Sequence, residues 1–247
     1  MINSLFEQFE IVRLIPFHPF GNLDLSFTNS SLFLVIALFI INSLINNNVK
    51  NLVPGRWQSV VEILYENLVN MVKENIGNAG LKYFPFLFSL FLLIAVLNMV
   101  GLVPYTFTPT SHVAVTFGIS LSLWIACTIL SFINFGSNFF AMFMPAGSPM
   151  ALAPFLVVIE LVSYTVKALT LGVRLFANIT AGHLLFAIIA GSTWKLLLAG
   201  GLLTVLSIIP LFIILFITVL EIGVALIQAY VFCLLSANYL NDTIHLH

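Results

Sequence analysis

Long apolar segments dominate the chain, and their lengths are typical of helices that cross a membrane. Residues 28–46, 84–103 and 113–135 are mostly apolar, and about 20 helical residues span the roughly 30 Å hydrocarbon core of a bilayer. The apolar positions are continuous rather than alternating, which favours helices over the strands of a membrane barrel. These segments therefore predict three membrane-spanning helices.

Residues 54–76 follow a different pattern. Apolar side chains such as Trp57 and Leu64 recur there at helical spacing, and Glu62 and Glu66 occupy the other side. A helix with one apolar and one charged face is typical of the membrane surface. We expect an interfacial amphipathic helix here, and a helix that binds a partner protein is the alternative.

The last hundred residues contain two longer apolar stretches, residues 150–191 and 195–241. Each would be about 60 Å long as a continuous helix, about twice the thickness of the hydrocarbon core. Either each stretch breaks, with Pro210 able to kink the second, or each lies strongly tilted in the membrane. Residues 1–247 contain no internal repeat and are predicted to form a single all-α integral membrane domain with about five embedded helices.

The composition agrees with this class and excludes others. Of the 247 residues, 61% are hydrophobic and 7% are charged, whereas soluble domains carry about a quarter charged residues. The net charge of −1 provides no basic surface for nucleic acid. Lys and Arg mark the inner side of a membrane, so segment 46–83, with Lys50 and Arg56, is predicted to face the matrix or cytoplasm. His112 lies in a loop predicted to be outer and solvated.

Ionisable side chains also lie inside the last two apolar stretches, and four of them are candidates for an ion path: Glu160, Arg174, His183 and Glu221. A charge at the bilayer centre costs about 2.5–3.5 kcal/mol, so such groups point inward, pair or line a wet cavity. Taken singly, each can also be structural, as a buried ion pair or a packed core residue. Lys167 can snorkel to the membrane surface or flank the path.

The spacing along one predicted helix separates these groups. Glu160 and Arg174 are two seven-residue steps apart, so they share one stripe of the helix, and Asn178 lies near that stripe. His183 lies half a revolution from Arg174 and about 13 Å further along the axis. The helix therefore offers a titratable group toward each membrane face, with a permanent cation between them.

On the final helix, Glu221 and Gln228 are seven residues apart and share a face. A pair formed by His183 and Glu221 could bind a divalent metal if further ligands approached, but two ligands are too few to predict a site. Neither a metal nor a cofactor is therefore predicted.

Several segments resemble subunit a of F-type ATP synthases, and together they cover nearly the whole chain. Residues 171–183 have the sequence Leu-Gly-Val-Arg-Leu-Phe-Ala-Asn-Ile-Thr-Ala-Gly-His, which is similar to the hallmark segment of that family. Residues 221–230 are similar to its final-helix motif, and Pro54, residues 57–58 and residues 239–242 also fit. A match of this length around a membrane arginine is a specific signal.

The resemblance implies a non-catalytic stator subunit that conducts protons through two offset half-channels to and from the carboxylates of a rotor ring, driving rotation and ATP synthesis. Arg174 is similar to the arginine that separates the half-channels. The resemblance assigns the other polar residues as follows: Asn178 and Gln228 beside the arginine, His183 and Glu221 in the outer half-channel, and Glu160 in the inner one. In this family the two long helices are strongly tilted around the ring, which fits their length.

The implied partners are the rotor ring, the peripheral-stalk and other membrane-sector subunits, and the lipid bilayer. The chain has no phosphate-binding loop of the Walker type, so direct nucleotide binding is not predicted. The His183 and Glu221 arrangement is similar to that of mitochondrial members, so we expect a multi-pass protein of the mitochondrial inner membrane, with the bacterial plasma membrane as the alternative. Two other classes stay open: a secondary transporter, which commonly shows internal repeats, and a non-transporting scaffold subunit of a respiratory complex.

Overall fold

The chain is almost entirely helical where its structure is described. The computed structural model describes residues 9–17, 26–48, 54–103, 106–136, 139, 143 and 152–244. Its helices are α1 (Asn29–Asn48), α2 (Arg56–Ile76), α3 (Phe84–Gly101), α4 (Val113–Phe135), α5 (Ala153–Ala199), α6 (Leu202–Leu206) and α7 (Ile208–Ile244). Two short strands, β1 (Arg13–Ile15) and β2 (Phe27–Thr28), pair antiparallel, and 3-10 turns lie at Asn78–Tyr83 and Pro109–Ser111. Lys50 and Met150, which the predictions above include, lie outside the described residues.

Five of the described helices, α1, α3, α4, α5 and α7, are long and apolar enough to cross a membrane. Many of their apolar side chains are exposed, and Phe39, Ile133 and Phe216 are each at least 66% exposed. Exposed apolar area on this scale is unfavourable in water but suits a lipid environment. The prediction of an all-α integral membrane protein is therefore confirmed.

The two long helices are divided at a different point from the one predicted. α5 contains 47 residues and continues through Gly191 to Ala199, which makes it about 70 Å long at 1.5 Å per residue. Gly200 and Gly201 follow with φ values of 71° and 61°. Glycine adopts this left-handed conformation without steric cost, and it commonly ends a helix. The predicted boundaries at 191 and 195 are thus corrected to this glycine pair, because a single glycine inside an apolar run does not stop a helix.

Pro210 lies in the first turn of α7 rather than at a kink. α7 begins at Ile208, two residues before the proline. The first amide groups of a helix have no carbonyl partner within it, so a residue without an N–H is tolerated there. The proline is therefore compatible with an uninterrupted helix from Ile208 to Ile244.

α2 has the two faces that its sequence predicts. Leu68, Met71 and Val72 are each at most 3% exposed, whereas Glu62 and Glu66 on the other side are exposed. Trp57, in the first turn, was predicted on the apolar face but is 74% exposed. Gly77, with a φ of 78°, ends the helix. The amphipathic pattern thus forms a helix, and its position at a membrane surface stays a prediction.

Contacts within the chain define two compact units, each of which contains parts of several helices. The first unit contains Met1–Ser43, Leu93–His112 and Leu175–Ala229. The second unit contains Leu44–Leu92, Val113–Arg174 and Tyr230–His247. The single membrane domain expected over residues 1–247 stays a prediction.

In the second unit, α4 and α5 approach closely at Gly172. A Cβ atom at this position would lie 2.5 Å from Ser120 Oγ and 3.2 Å from the Thr116 carbonyl oxygen. Any larger residue would collide with α4, so the glycine permits this close packing of the two helices.

In the first unit, the N-terminal segment, residues 9–17, is fixed to the start of α1. The Asn29 backbone amide donates to the Val12 carbonyl at 3.1 Å, and the Asn29 side-chain amide donates to the Glu10 carbonyl at 3.1 Å. The pairing of β1 with β2 adds further backbone contacts. Together these bonds position Phe9 against the site described next.

Candidate functional site

α5 buries one stripe of side chains and exposes the side that carries Arg174. The buried stripe, at most 2% exposed, consists of Ala168, Leu171, Leu175 and Ile179. Arg174 and Lys167 are exposed, and Glu160 is half-buried. No carboxylate among the described residues forms a salt bridge with Arg174, so the Arg174 guanidinium has no ion-pair partner within them.

α7 presents a buried face that contains two polar side chains. Glu221, Ala225 and Gln228 are spaced four and three residues apart, so they lie on one face of the helix. Their exposed fractions are 9%, 0% and 4%. A carboxyl and an amide side chain are thus held inside the first unit on the same helix face.

Asn178 and Gln228 join α5 to α7. The Asn178 Nδ2 atom donates to Gln228 Oε1 at 2.8 Å. Gln228 Nε2 is buried and has no hydrogen-bond partner among the described residues. Because the donor of this amide stays unpaired, a water molecule or a passing polar group could bind there.

The Glu221 carboxyl group packs against Gly182 of α5. A Cβ atom at Gly182 would lie 2.6 Å from Glu221 Oε1 and 3.2 Å from its Cδ atom. Glu221 Oε1 is buried and has no hydrogen-bond partner among the described residues. Because Gly182 has no side chain, the Glu221 carboxyl group has room to lie against α5 at this position, one residue before His183 in the sequence.

His183 is half-buried and contacts two other elements of the first unit. Its Nε2 atom lies 3.4 Å from Thr108 Oγ1. The Phe9 ring meets the imidazole edge-on, with 6.4 Å between ring centroids and an interplanar angle of 84°. Among the described residues, no hydrogen bond joins His183 to Glu221. No group of three or more His, Cys, Asp or Glu side chains in the described part of the chain is placed to bind a metal.

Comparison with known proteins decides the family. Residues 28–241 match the family model described as ATP synthase A chain. The chain belongs to this family. It is 47% identical over 249 residues to "ATP synthase subunit a" of Chondrus crispus, covering 100% of this chain and 98% of that relative. It is 46% identical to the protein of the same name from Marchantia polymorpha, and 42% identical to that of Rhodospirillum rubrum, with 100% of each chain covered in both cases.

The resemblance to this ATP synthase family inferred from the sequence is therefore confirmed. The structure brings four of the six predicted site residues into the first unit: Asn178 bonds to Gln228, Glu221 packs against Gly182, and His183 follows Gly182 on α5. The other two, Arg174 and Glu160, belong to the second unit. Their roles in conduction stay predictions.

Asn98 of α3 was not predicted from the sequence. It is 1% exposed, and its Nδ2 atom donates to the Ala225 carbonyl oxygen at 3.4 Å, on the α7 face between Glu221 and Gln228. Its Oδ1 atom has no partner among the described residues. A lone amide in an apolar run was the signal that could have identified it, because membrane helices rarely contain an amide that bonds to nothing.

His112 differs from the solvated side chain expected from its loop. It is half-buried, its Nε2 atom is excluded from solvent, and its ring stacks on Phe107 with 5.1 Å between centroids. Burial lowers the pKa of His112 below its usual value, and a hydrogen bond with the Phe9 backbone opposes that effect. The prediction of a solvated His112 was wrong because its loop is packed against other elements of the first unit.

Proposed function

We propose that this chain is the proton-conducting stator subunit of the membrane sector of a rotary F-type ATP synthase. In this proposal, protons travel through two offset half-channels to and from the carboxylates of a rotor ring. The observation that supports it most is Arg174, an exposed cation without an ion-pair partner among the described residues, on an apolar helix of an ATP synthase A chain. ATP itself would be made on partner subunits, so this subunit is not catalytic.

Arg174 would control the rotor carboxylates. A carboxylate can face lipid only in its neutral form, since an ion is poorly solvated there. Beside Arg174, whose charge is effectively permanent, the ionised form is favoured and the proton is released. The same charge repels a proton that moves directly between the half-channels. Without that barrier the gradient would leak and produce no torque.

The outer half-channel would follow the polar residues of the first unit. Glu221 Oε1, Gln228 Nε2 and Asn98 Oδ1 are buried atoms that lack partners among the described residues. Leaving such an atom unpaired costs about 1–3 kcal/mol, and a bound water removes most of that cost. A short chain of waters along this face of α7 would connect Glu221 with Gln228 and Asn178. Histidine side chains ordinarily titrate near neutral pH, so His183 is suited to supply protons to this chain of waters.

The inner half-channel would involve Glu160. This carboxylate lies on α5 about 21 Å before Arg174, measured along the helix axis at 1.5 Å per residue. It is half-buried, and in this proposal its exposed part faces the water of the inner half-channel. The proton released beside Arg174 would leave on this side.

The same proposal places the chain in its surroundings. α2 would lie on the membrane surface, and α5 and α7 would tilt strongly around the rotor ring, since α5 alone is about 70 Å long. The ring, peripheral-stalk and other membrane-sector subunits would be its partners. We propose the mitochondrial inner membrane as its location, with the bacterial plasma membrane as the alternative.

The decisive variant is Arg174→Ala in the assembled complex reconstituted into liposomes. We expect complete loss of ATP synthesis driven by an imposed proton gradient, with the complex still assembled. Lys167→Ala is the matched control, because it removes an exposed cation from the same helix, and it should leave at least about half of the activity. Coupled synthesis in Arg174→Ala would refute the proposal and favour a scaffold role. Flux of another substrate through the isolated chain would favour a secondary transporter.

A further inference from the structure

The loop after α3 is buried, although its sequence is polar. Thr108 and Ser111 are 4% and 5% exposed, and the Ser111 hydroxyl donates to the Thr108 carbonyl at 2.6 Å. The Thr180 hydroxyl of α5 lies 3.5 Å from the Ser111 carbonyl. Thr180 precedes His183 by three residues and lies on the same side of α5. The loop is therefore fixed against the part of α5 that presents His183.

The Thr108 hydroxyl has two polar neighbours and a single proton to donate. Its Oγ1 atom lies 3.3 Å from the Gly101 carbonyl oxygen and 3.4 Å from His183 Nε2. The carbonyl can only accept, whereas Nε2 donates in one tautomer and accepts in the other. When the single hydroxyl proton of Thr108 is donated to Gly101, the lone pairs of its oxygen are left to accept a hydrogen bond from His183 Nε2.

The Thr108 methyl group reinforces this orientation. A Cβ atom on Gly101 would collide with the methyl group and the hydroxyl of Thr108. The absence of a side chain at Gly101 thus lets the threonine sit directly on the end of α3. On another side, Phe9 meets the imidazole edge-on and restricts its rotation.

We propose that Thr108 is a positioning residue for His183: it holds the imidazole in the tautomer that carries its proton on Nε2, which leaves Nδ1 as the atom that takes up the transported proton. This inference rests on the proposed proton path. A hydrogen bond in which one ring nitrogen donates keeps the proton on that nitrogen and leaves the other nitrogen as the acceptor. Without the Thr108 oxygen the two tautomers would exchange, and the accepting nitrogen would face the path only part of the time.

The other charged and titratable groups near this site would stay unchanged in a Thr108 variant. Glu221 faces it from α7 beside Gly182, and His112 lies in the same loop as Thr108. The remaining ones described in the first unit are Glu10 and Arg13 on the N-terminal segment and Lys195 on α5. A shift of the pH profile caused by Thr108 variants therefore reports on His183.

The test measures proton conduction by the assembled complex in liposomes over a range of external pH. Thr108→Val keeps the shape of the side chain and removes its hydroxyl, so we expect conduction to fall about fivefold and the midpoint of its pH profile to move by about half a unit. Thr108→Ser keeps the hydroxyl and should stay within about twofold of the unaltered complex. Thr106→Val is the control, because its hydroxyl lies in the same loop and near the same Gly101 carbonyl, at 3.4 Å, but its short bonds are to the carbonyls of Val100 and Val103, each at 2.7 Å. Its pH profile should not move.

Several outcomes would overturn the positioning role. These are an unmoved pH profile in Thr108→Val, or a Thr108→Ser variant as impaired as Thr108→Val. In a His183→Gln background, Thr108→Val should have no further effect, and a full additive loss would show that Thr108 acts elsewhere. If Thr108→Val fails to assemble, Thr108→Ala provides the same comparison. If Arg174→Ala abolishes coupling but the pH profile of Thr108→Val does not move, only the positioning role of Thr108 is refuted. Normal coupling in Arg174→Ala would instead refute the proposed function.

Discussion

The two units differ in how their buried polar side chains are satisfied. In the second unit, Asn134 donates to the Thr243 carbonyl at 3.0 Å, and the hydroxyls of Thr128 and Tyr164 lie 3.0 Å apart. The buried side-chain atom that lacks a partner in the described part of this unit is the indole nitrogen of Trp124. These two contacts connect helices, and other hydroxyls of this unit, such as those of Ser236 and Thr243, bond to carbonyls of their own helix.

In the first unit, the buried amide and carboxyl groups are only partly satisfied. The unpaired atoms on α3 and α7 are Asn98 Oδ1, Glu221 Oε1 and Gln228 Nε2. An apolar side chain at any of these positions would avoid a cost of about 1–3 kcal/mol. In the second unit, polar side chains therefore contribute to the packing of the helices. In the first unit, several buried polar atoms along one face of α7 are instead available to bind water. That capacity to bind water is what a proton path requires.

Among the variants that test this difference between the units, Gly182→Leu is expected to have the largest effect. The new side chain would occupy the space of Glu221 Oε1, which lies 2.6 Å from the position of a Cβ atom at Gly182. Either the carboxyl group moves or α5 and α7 separate. A displacement of about 1 Å can lower a rate about a hundredfold, so proton conduction should fall by at least that factor.

Gly223→Leu is the matched control, because no atom lies within 4 Å of a Cβ atom at Gly223 in the same unit. It should assemble and conduct protons normally. Gly182→Ala should give an intermediate loss, since a single methyl group displaces only the flexible end of Glu221. Normal conduction by Gly182→Leu would show that the position of Glu221 beside α5 does not matter, and the contrast between the units would lose its functional meaning.

A smaller loss is expected from Asn98→Leu. This change removes the unpaired Oδ1 atom and the bond to the Ala225 carbonyl, so conduction should fall about tenfold. The thermal stability of the complex should stay the same or rise, because an unsatisfied amide is replaced by an apolar group. Ser236→Ala is the control: its hydroxyl is buried in the second unit but bonds within α7 to the Phe232 carbonyl at 2.8 Å. Equal losses from both variants would remove the distinction between the units.

The sequence was sufficient to predict the helices, because membrane thickness fixes how many apolar residues a span needs. The shared face of Glu221 and Gln228 was also predictable, since seven-residue spacing keeps two side chains on one stripe. The exposure of Arg174 could not be predicted. The small and apolar residues on the opposite stripe of α5 indicate that this stripe is buried, but not which neighbouring helix covers it. The end of α5 depended on two adjacent glycines that both adopt positive φ.

The residues around His183 were harder to predict for a different reason. Thr108 and His112 lie in a polar loop, and loops are usually at the surface. This loop is buried because its hydroxyl groups bond to nearby carbonyls, as Ser111 does to Thr108. Asn98 was overlooked because one amide in an apolar helix does not alter the pattern of the run. Contacts between segments distant in the sequence decide such cases.

The smallest effect is expected from the bond between Asn178 and Gln228, and a double-mutant cycle isolates it. A neutral hydrogen bond contributes about 1 kcal/mol, so the coupling between Asn178→Leu and Gln228→Leu should correspond to about fivefold in conduction. The matched cycle, Thr128→Val with Tyr164→Phe, breaks a bond of similar length in the second unit. We expect that pair to couple in thermal stability and not in conduction. If instead the second cycle couples in conduction as strongly as the first, polar contacts in both units serve transport, and the path cannot be confined to the unpaired face of α7.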